Sequence, residues 1–272
     1  MDARPIGIFD SGAGGLTVLH ECLVTMPGED FLYLGDGARC PYGPRDAEEI
    51  RRFALEIGRH LERSGVKLIV VACNTAAAAA LPYLQERLEV PVVAVLAPEA
   101  HVAVQATRNR HVGVLATEAT VASGRYADVI HTLDAGIEVV SVACPRLVPM
   151  IEGAAPNEEL TAAVREYAAP LRSADVDTVV LGCTHYPLVR PVFERVFGRG
   201  TTLVFSADET AREVAETLER KGIENESGRE GRTTFLTTGQ PEEFGALGER
   251  FLQLPIDAVG RIDLHELERE AA

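Results

Sequence analysis

Several features are missing from this sequence of 272 residues, and each absence excludes a class of protein. No apolar run reaches the length of about 20 residues that a transmembrane helix needs. The N-terminus lacks the long apolar segment and the small-residue cleavage site of a signal peptide. The five cysteines are odd in number and form no C-x-x-C pair, which argues against a disulfide framework. We therefore expect a cytoplasmic protein, without a membrane partner, whose cysteines are free thiols.

Positive charge is also scarce. Lys and Arg total 26 against 41 Asp and Glu, which gives a formal net charge of -15, and the sequence has no Lys/Arg-rich block. Because nucleic-acid binders rely on attraction between basic side chains and phosphates, we expect no nucleic-acid partner. The chain is otherwise ordinary for a globular protein, and its length suits one large domain or two of average size.

Strand and helix patterns alternate along the chain, which predicts an α/β fold with mainly parallel strands. Helices are predicted after the glycine-rich loop that ends at Gly15, around Ile50 to Leu61, and over residues 208–220 and 242–251. Strands are predicted at Ile6 to Phe9, Phe31 to Leu34, Val66 up to Cys73, Val92 to Leu96, Thr233 to Thr237 and Ala258 to Ile262.

Two pairs of segments suggest that the chain contains a repeat. Val112 to Thr117 aligns with Ile6 to Ser11 at an offset of 106 residues. Val176 to Thr184 aligns with Val66 to Asn74 at an offset of 110 residues, with Cys183 upon Cys73. The similar offsets predict a duplicated unit, and the alternative is chance similarity between buried strands.

Cys73 lies between a predicted buried strand and the run Ala76 to Ala80, which has a high helix propensity. With Thr75 opening the helix, the thiol would face a helix N-terminus, where the helix dipole and free N–H groups stabilise anions such as a thiolate. The plainer alternative is a buried cysteine that only packs. We assign that packing role to Cys22 and Cys144, and no role to Cys40.

Polar side chains follow the predicted strands at their carboxyl ends, where α/β sheets place their ligands. Two thiols that face each other there would allow one to remove a proton from a carbon centre while the other delivers a proton to the opposite face. Asp10 beside Cys73, and His185 with an acid beside Cys183, are the candidate proton partners. The set at strand ends comprises Asp10, Ser11, Cys73, Asn74, Thr75, Thr117, Cys183, Thr184 and His185.

Four motifs carry a family resemblance: Asp10-Ser11-Gly12, Pro41-Tyr42-Gly43, Cys73-Asn74-Thr75 and Gly182-Cys183-Thr184-His185-Tyr186-Pro187-Leu188. In this order they resemble the motif set of the glutamate racemases, cofactor-independent isomerases that supply D-glutamate for bacterial peptidoglycan. The resemblance implies a small-molecule substrate, glutamate, and no cofactor, neither pyridoxal phosphate nor a metal. It further implies a homodimer.

The fold implied by the resemblance has two pseudo-symmetric α/β/α domains with the active site in the cleft between them. The second domain would comprise residues 98–207 and lie between the two parts of the first domain, 1–97 and 208–272.

The resemblance also implies residue roles. Cys73 and Cys183 would be the catalytic bases, Cys73 for the proton of D-glutamate and Cys183 for that of L-glutamate. Asp10 would assist the first thiol, and Glu152 and His185 would assist the second. The implied substrate-binding residues are Asp10, Ser11, Tyr42, Gly43, Asn74, Thr75, Thr117, Thr120, Thr184 and His185.

The sequence departs from the family pattern in three places. Ala116 stands for a usual glycine, Gly37 for a usual threonine, and Ala97-Pro98-Glu99 for a common Glu-Pro-Gly. These departures lie near the expected cleft and domain junction, so they bear on substrate contacts, regulation and assembly.

Four other functions fit parts of the sequence. A related racemase, such as one for aspartate, would use the same pair of thiols. Gly12-Ala13-Gly14, with Asp36 after the next strand, resembles a dinucleotide fingerprint, but Thr17 occupies the third glycine position and Asp10 would oppose the pyrophosphate. A zinc site built from Cys73, Cys183 and His185 lacks the paired spacing of structural zinc ligands. A non-enzymatic redox or binding module would use the cysteines as a reversible disulfide.

Overall fold

The computed structural model describes residues 2–271. The strands are β1 (Ile6–Asp10), β2 (Phe31–Gly35), β3 (Leu68–Val71), β4 (Val92–Ala94), β5 (His111–Ala116), β6 (Glu138–Ala143), β7 (Thr178–Gly182), β8 (Thr202–Phe205), β9 (Thr233–Thr237) and β10 (Val259–Arg261). The α-helices are α1 (Leu16–Thr25), α2 (Ala47–Arg63), α3 (Asn74–Gln85), α4 (Leu96–Ala106), α5 (Glu118–Ala122), α6 (Arg125–Leu133), α7 (Leu147–Glu152), α8 (Asn157–Ser173), α9 (Arg190–Phe197), α10 (Ser206–Lys221), α11 (Pro241–Leu252) and α12 (Leu264–Ala271).

The strands form two parallel sheets, which confirms the predicted α/β class. One has six strands in the order β10-β9-β2-β1-β3-β4, and the other has four in the order β6-β5-β7-β8. Every residue of β1, β2, β3 and β7 is buried, as expected for central strands of parallel sheets covered on both faces by helices. The strands after residue 207, β9 and β10, pair at the edge of the first sheet.

The two sheets repeat one arrangement. The order β2-β1-β3-β4 in the first sheet corresponds to β6-β5-β7-β8 in the second. The register agrees as well: Ile6 pairs with Leu68 in the first sheet, and Val112 pairs with Thr178 in the second. These are the residues that the offsets of 106 and 110 align in the sequence. The shared register supports duplication over chance similarity between strands.

Most predicted elements lie within one to three residues of the observed ones, and the strand at Thr233–Thr237 has the predicted bounds. The fourth strand is shorter than predicted, because it ends at Ala94 and Leu96 begins α4. Pro98 lies in the first turn of α4, where proline is tolerated because its missing N–H would have no partner.

Small side chains let α3 approach the first sheet closely. Ala76 to Ala80 are all buried, and α3 packs against α2 on one side and against α4 and α5 of the second half on the other. The helix α4 also contacts α6 and α10, so helices from both halves of the chain meet at its sides. Among residues 2–271, no helix combines the length and the apolar character needed to cross a membrane.

Candidate active site

A cavity of about 240 Å³ lies where the carboxyl ends of β1 and β3 meet those of β5 and β7. Both Cys73 and Cys183 line it. Two larger surface grooves, of about 990 and 950 Å³, have no cysteine among their lining residues. The smaller cavity therefore holds the reactive side chains. It is lined by Asp10, Ser11, Cys40, Pro41, Tyr42, Gly43, Pro44, Cys73, Asn74, Thr75, Thr117, Glu118, Cys144, Pro145, Val148, Pro149, Cys183, Thr184 and His185.

The first thiol is linked to a carboxylate through a hydroxyl group. Cys73 is the N-cap of α3, and its Sγ donates to the Ser11 Oγ at 3.7 Å. The Ser11 hydroxyl lies 3.4 Å from Asp10 Oδ1, and the other oxygen, Asp10 Oδ2, accepts the N–H of Gly15 at 2.7 Å. The N–H of Gly15 thus fixes the carboxylate at one oxygen and leaves the other facing the serine.

The second thiol is linked to a carboxylate through an imidazole ring. Cys183 Sγ lies 3.8 Å from Nδ1 of His185, and Nε2 of His185 lies 2.9 Å from Oε1 of Glu152. Because an ionised carboxylate only accepts hydrogen bonds, the neutral ring carries its proton on Nε2 and presents Nδ1 as the acceptor for the thiol. Glu152, at the end of α7, does not line the cavity and contacts it only through the imidazole.

Burial controls the charge state of both thiols. Loss of hydration, with a smaller contribution from the negative charge of Asp10, raises the pKa of Cys73 to about 12, and the N–H of Ala76 offsets only part of this. Burial likewise raises the pKa of Cys183 well above its ordinary value, and the nearby Cys73 and Asp10 add to the effect. The helix N-terminus therefore lowers the pKa of the Cys73 thiol, as predicted, but desolvation is the larger effect.

Hydroxyl groups from the two halves of the chain meet on another wall of the cavity. The Thr75 and Thr117 hydroxyls are 2.9 Å apart, and the Thr117 and Thr120 hydroxyls are also 2.9 Å apart. Of the predicted substrate contacts, Thr120 is buried behind the other two and does not line the cavity. Thr184 lies beside His185, with its hydroxyl 3.5 Å from Nδ1.

The Pro41-Tyr42-Gly43 loop lines the cavity and is held by bonds to both halves of the chain. The Tyr42 hydroxyl donates to Oδ2 of Asp36, so this side chain is held inside the first half of the chain. Arg39 donates to the same Asp36 oxygen through Nε at 2.7 Å. Gly43 accepts the Ala119 N–H at 2.9 Å, and this contact joins the loop to the opposite half.

The glycine-rich loop after β1 serves close packing. A Cβ on Gly14 would lie 2.5 Å from the His185 ring and from the Thr184 hydroxyl oxygen. No dinucleotide phosphate could approach this loop as the fingerprint requires, because the second cysteine motif already packs there. Asp36, the residue that would bind the ribose, is fully buried and bonded to Arg39, Tyr42 and Thr238.

Sequence reasoning missed part of the cavity wall. Cys144, to which the sequence assigns a packing role, lines the cavity, and so does Cys40, to which it assigns no role. Burial raises the pKa of both thiols. Glu118, Pro145, Val148 and Pro149 were not singled out at all. Their position in the sequence could have identified them, because each follows a strand that ends at the same edge of the second sheet as the strand before Cys183.

Metal-binding side chains do not gather in any described part of the chain. Across residues 2–271, no group of three or more His, Cys, Asp and Glu side chains has the geometry to hold an ion. Cys73, Cys183 and His185 share the cavity, but the ring nitrogens of His185 face Cys183 and Glu152.

Comparison with known proteins defines the class. The sequence model of the Asp/Glu/Hydantoin racemase family matches residues 17–214, which is well over half of the chain. The fold, with paired thiols in a cleft between two parallel sheets, agrees with this match. The chain belongs to the Asp/Glu/hydantoin racemase family.

Similar proteins within that family are glutamate racemases. The glutamate racemase of a Parafrankia species is 49% identical to this chain over 95% of the chain and 94% of the relative. The crystal structure of a glutamate racemase isoform from Bacillus anthracis superposes with a TM-score of 0.92 at 40% identity, covering 97% of this chain and 99% of the other. A Francisella tularensis glutamate racemase in complex with D-glutamate superposes with a TM-score of 0.91 at 32% identity and the same coverage.

Proposed function

We propose that this chain is a glutamate racemase that inverts the α-carbon of glutamate between the thiols of Cys73 and Cys183. The observation that carries the proposal is that both thiols line one small cavity, each with its own chain of proton partners. The identity of 42–49% to glutamate racemases over nearly the whole chain favours glutamate over aspartate as the substrate.

The reaction needs one bond exchange on each face of the substrate. With D-glutamate bound, the Cys73 thiolate removes the α-proton, so a C–H bond breaks and an S–H bond forms. The Cys183 thiol then gives its proton to the opposite face of the planar carbanion, which yields L-glutamate and a Cys183 thiolate. The roles exchange in the other direction, and no electrons are gained or lost overall.

The thiol that removes the α-proton must first lose its own proton, since burial keeps both thiols neutral at pH 7. On one side of the cavity, the Ser11 hydroxyl passes the proton of Cys73 to the Asp10 carboxylate. On the other side, Nδ1 of His185 takes the proton of Cys183, and Glu152 stabilises the imidazolium that results. The two relays differ in chemistry although the strands beneath them are related by the repeat.

Neutral donors around the cavity stabilise the developing carbanion. The α-proton of an amino acid is far less acidic than a thiol, so donors placed where negative charge develops lower the barrier. Thr75 and Thr117 can turn their hydroxyl protons from each other to a substrate carboxylate. The proposed substrate contacts are Asp10, Ser11, Tyr42, Gly43, Asn74, Thr75, Thr117, Thr184 and His185, with Thr120 supporting Thr117.

Wider features of the protein are also proposals. We propose that residues 1–97 and 208–272 form one domain and residues 98–207 the other, with the chain crossing between them near the start of α4 and of α10. The pairing of β9 and β10 with the first sheet supports this division. We further propose a cytoplasmic homodimer that supplies D-glutamate for peptidoglycan, as the resemblance implies.

Racemisation of purified protein tests the proposal directly. L-glutamate or D-glutamate should approach the same racemic mixture by circular dichroism, and L-aspartate should react far more slowly. Because enantiomers have equal free energy, kcat/KM must be equal in the two directions. Cys73→Ala and Cys183→Ala should each lower it by at least ~10³-fold.

Cys22→Ala provides the matched control, since Cys22 is fully buried in α1 outside the cavity and should retain activity. Faster inversion of aspartate than of glutamate would replace the proposed substrate. Full activity in either active-site cysteine variant would remove the two-thiol mechanism.

A further inference from the structure

A buried carboxylic acid lies behind the cavity, and the proposed mechanism does not use it. Glu99 of α4 has no exposed surface, and its two hydrogen-bonding neighbours, Asn74 and Tyr126, are 3% and 2% exposed. Asn74 comes from α3 of the first half, while Tyr126 comes from α6 of the second. The Ser206 hydroxyl at the start of α10 lies beside the same carboxyl group. The cluster therefore sits where the two halves of the chain meet.

The hydrogen bonds of this cluster have a fixed direction. Nδ2 of Asn74 donates to Oε2 of Glu99 at 3.0 Å and to the Tyr126 hydroxyl oxygen at 2.8 Å. The Tyr126 hydroxyl in turn donates to the same Glu99 oxygen. Both hydrogens of the Asn74 amide nitrogen are thereby used. Oε2 accepts these bonds in the ionised acid, and also in the neutral acid when the proton is on Oε1.

The remaining atom of the amide is its carbonyl oxygen. Oδ1 of Asn74 is buried and has no hydrogen-bond partner among the described residues, although Asn74 lines the cavity. A buried carbonyl oxygen without a donor costs free energy, and a bound ligand with a donor would relieve that cost. At neutral pH glutamate has a single donor group, its α-ammonium, because both of its carboxylates only accept.

We propose that Glu99 is a positioning residue for the substrate, because its carboxyl group, together with Tyr126, holds the Asn74 amide with Oδ1 free to accept a hydrogen bond from the α-ammonium. The inference rests on the proposed function, since it takes an amino acid as the ligand. Without Glu99, the Asn74 amide could turn and present its nitrogen to the cavity. The amide N–H and the α-ammonium are both donors, so they could not form a hydrogen bond with each other. Glu99 falls within the Ala97-Pro98-Glu99 departure from the family pattern, so the resemblance does not imply this role.

Two variants of Glu99 separate positioning from general support of the fold. Glu99→Ala should raise the KM for both enantiomers of glutamate about tenfold, with a smaller change in kcat. Glu99→Gln keeps an amide oxygen that accepts from Asn74 and Tyr126, so it should return KM to within about threefold of the parent value. Tyr126→Phe removes one of the two acceptors for Asn74 and should give an intermediate KM.

A ligand without the ammonium provides the sharpest comparison. Glutarate has both carboxylates of glutamate but no α-amino group, so its inhibition constant should change less than about twofold in Glu99→Ala while KM rises. Equal weakening of glutarate and glutamate, or a failure of Glu99→Gln to restore KM, would overturn the positioning role.

The parent protein keeps this test separate from the test of function. Parent protein that does not racemise glutamate would overturn the proposed function. Parent protein that racemises glutamate, together with folded Glu99→Ala protein whose KM is unchanged, would overturn the inference about Glu99 alone. If Glu99→Ala does not fold, Tyr126→Phe decides, and an unchanged ratio of glutamate KM to glutarate inhibition constant in that variant overturns the inference.

Discussion

At Cys73 the burial of the thiol and the N–H of Ala76 act on the pKa in opposite directions. The amide N–H lowers it as expected at a helix start, but burial raises it to about 12. Cys73 is only 5% exposed, so water solvates a negative sulfur there poorly. The thiol is therefore a weaker acid than an ordinary cysteine.

The rate of alkylation measures how weakly acidic the Cys73 thiol is. At pH 8 a thiol with a pKa near 12 is ionised roughly 10³-fold less than an ordinary cysteine with a pKa of about 8.5. Iodoacetamide should therefore label Cys73 of the free protein more slowly than a model thiol by a factor of that order. The rate should still rise with pH above 10, as followed by peptide mass spectrometry.

The same labelling reaction in 6 M guanidinium provides the control, because unfolding removes the burial and should restore ordinary reactivity. A labelling rate for folded Cys73 that levels off below pH 9 would contradict the account of its charge state.

Individual residues of the site were predictable where a motif or a strand end marked them. Cys73, Cys183, Asp10 and His185 each lie at or just after the carboxyl end of a strand, so the rule for α/β sheets was enough to gather them. Glu99 was noticed only as a departure from a pattern. Its partner Tyr126 lies on another helix, and no local signal in a sequence reports which helices meet.

Among the elements, the loop after β1 shows how one short segment joins the two halves. Gly14 lets the His185 ring approach the backbone, and Thr17 in α1 donates to the carbonyl oxygen of Thr184 at 3.2 Å. On the far side of the imidazole, Phe251 of α11 packs edge-on at 5.0 Å between ring centroids. The imidazole is thus held between a loop of the first half and a helix from the end of the chain.

A methyl group at position 14 should disturb this arrangement. Gly14→Ala places a Cβ within 2.5 Å of the His185 ring, so the ring must move away from Cys183 or Glu152. We expect kcat to fall by about 10²-fold and the free energy of unfolding by about 1–3 kcal/mol. Steady-state racemisation and urea denaturation measure the two effects.

The matched substitution is Gly200→Ala, because a Cβ at that position meets no atom within 4 Å. It should leave both quantities nearly unchanged. If Gly14→Ala racemises glutamate as fast as Gly200→Ala does, the proposed role of close packing at the imidazole is wrong.

Element boundaries followed from the sequence with one instructive failure. Hydrophobic patterning located the strands because parallel strands are buried on both faces and read as continuous apolar runs. It failed at Val95 and Leu96, which continue the apolar run of β4, although Val95 is the N-cap of α4 and Leu96 is its first residue. An apolar run alone does not show where a buried strand gives way to a buried helix.

Across the whole molecule, the buried acid at the meeting of the two halves links stability to pH. Burial raises the pKa of Glu99 from 4.5 to about 8, although its hydrogen bonds with Tyr126 and Asn74 act in the opposite direction. Between these two pH values the folded chain holds a proton that the unfolded chain has lost. The free energy of unfolding therefore falls as the pH rises across this window, and levels off above it.

Glu99→Gln should remove this contribution. At ~1.4 kcal/mol per pKa unit, the parent protein should lose stability relative to the variant, on the order of 5 kcal/mol between pH 4.5 and 8.5. Urea denaturation at several pH values gives the free energy of unfolding as a function of pH for the parent protein and for Glu99→Gln. Glu194→Gln, at an exposed position in α9, should run parallel to the parent curve. Parallel curves for Glu99→Gln as well would show that the carboxyl group ionises in the folded protein as it does in water.

The central claim is that two thiols act on opposite faces of one carbon, and hydrogen exchange during racemisation tests it most directly. In deuterated water, L-glutamate should give D-glutamate that carries deuterium at the α-carbon from the first turnovers, because Cys73 has exchanged its proton with solvent. The L-glutamate recovered at the same early time should still carry protium. D-glutamate that retains its α-protium, or L-glutamate that exchanges as fast as product forms, would instead indicate one base serving both faces.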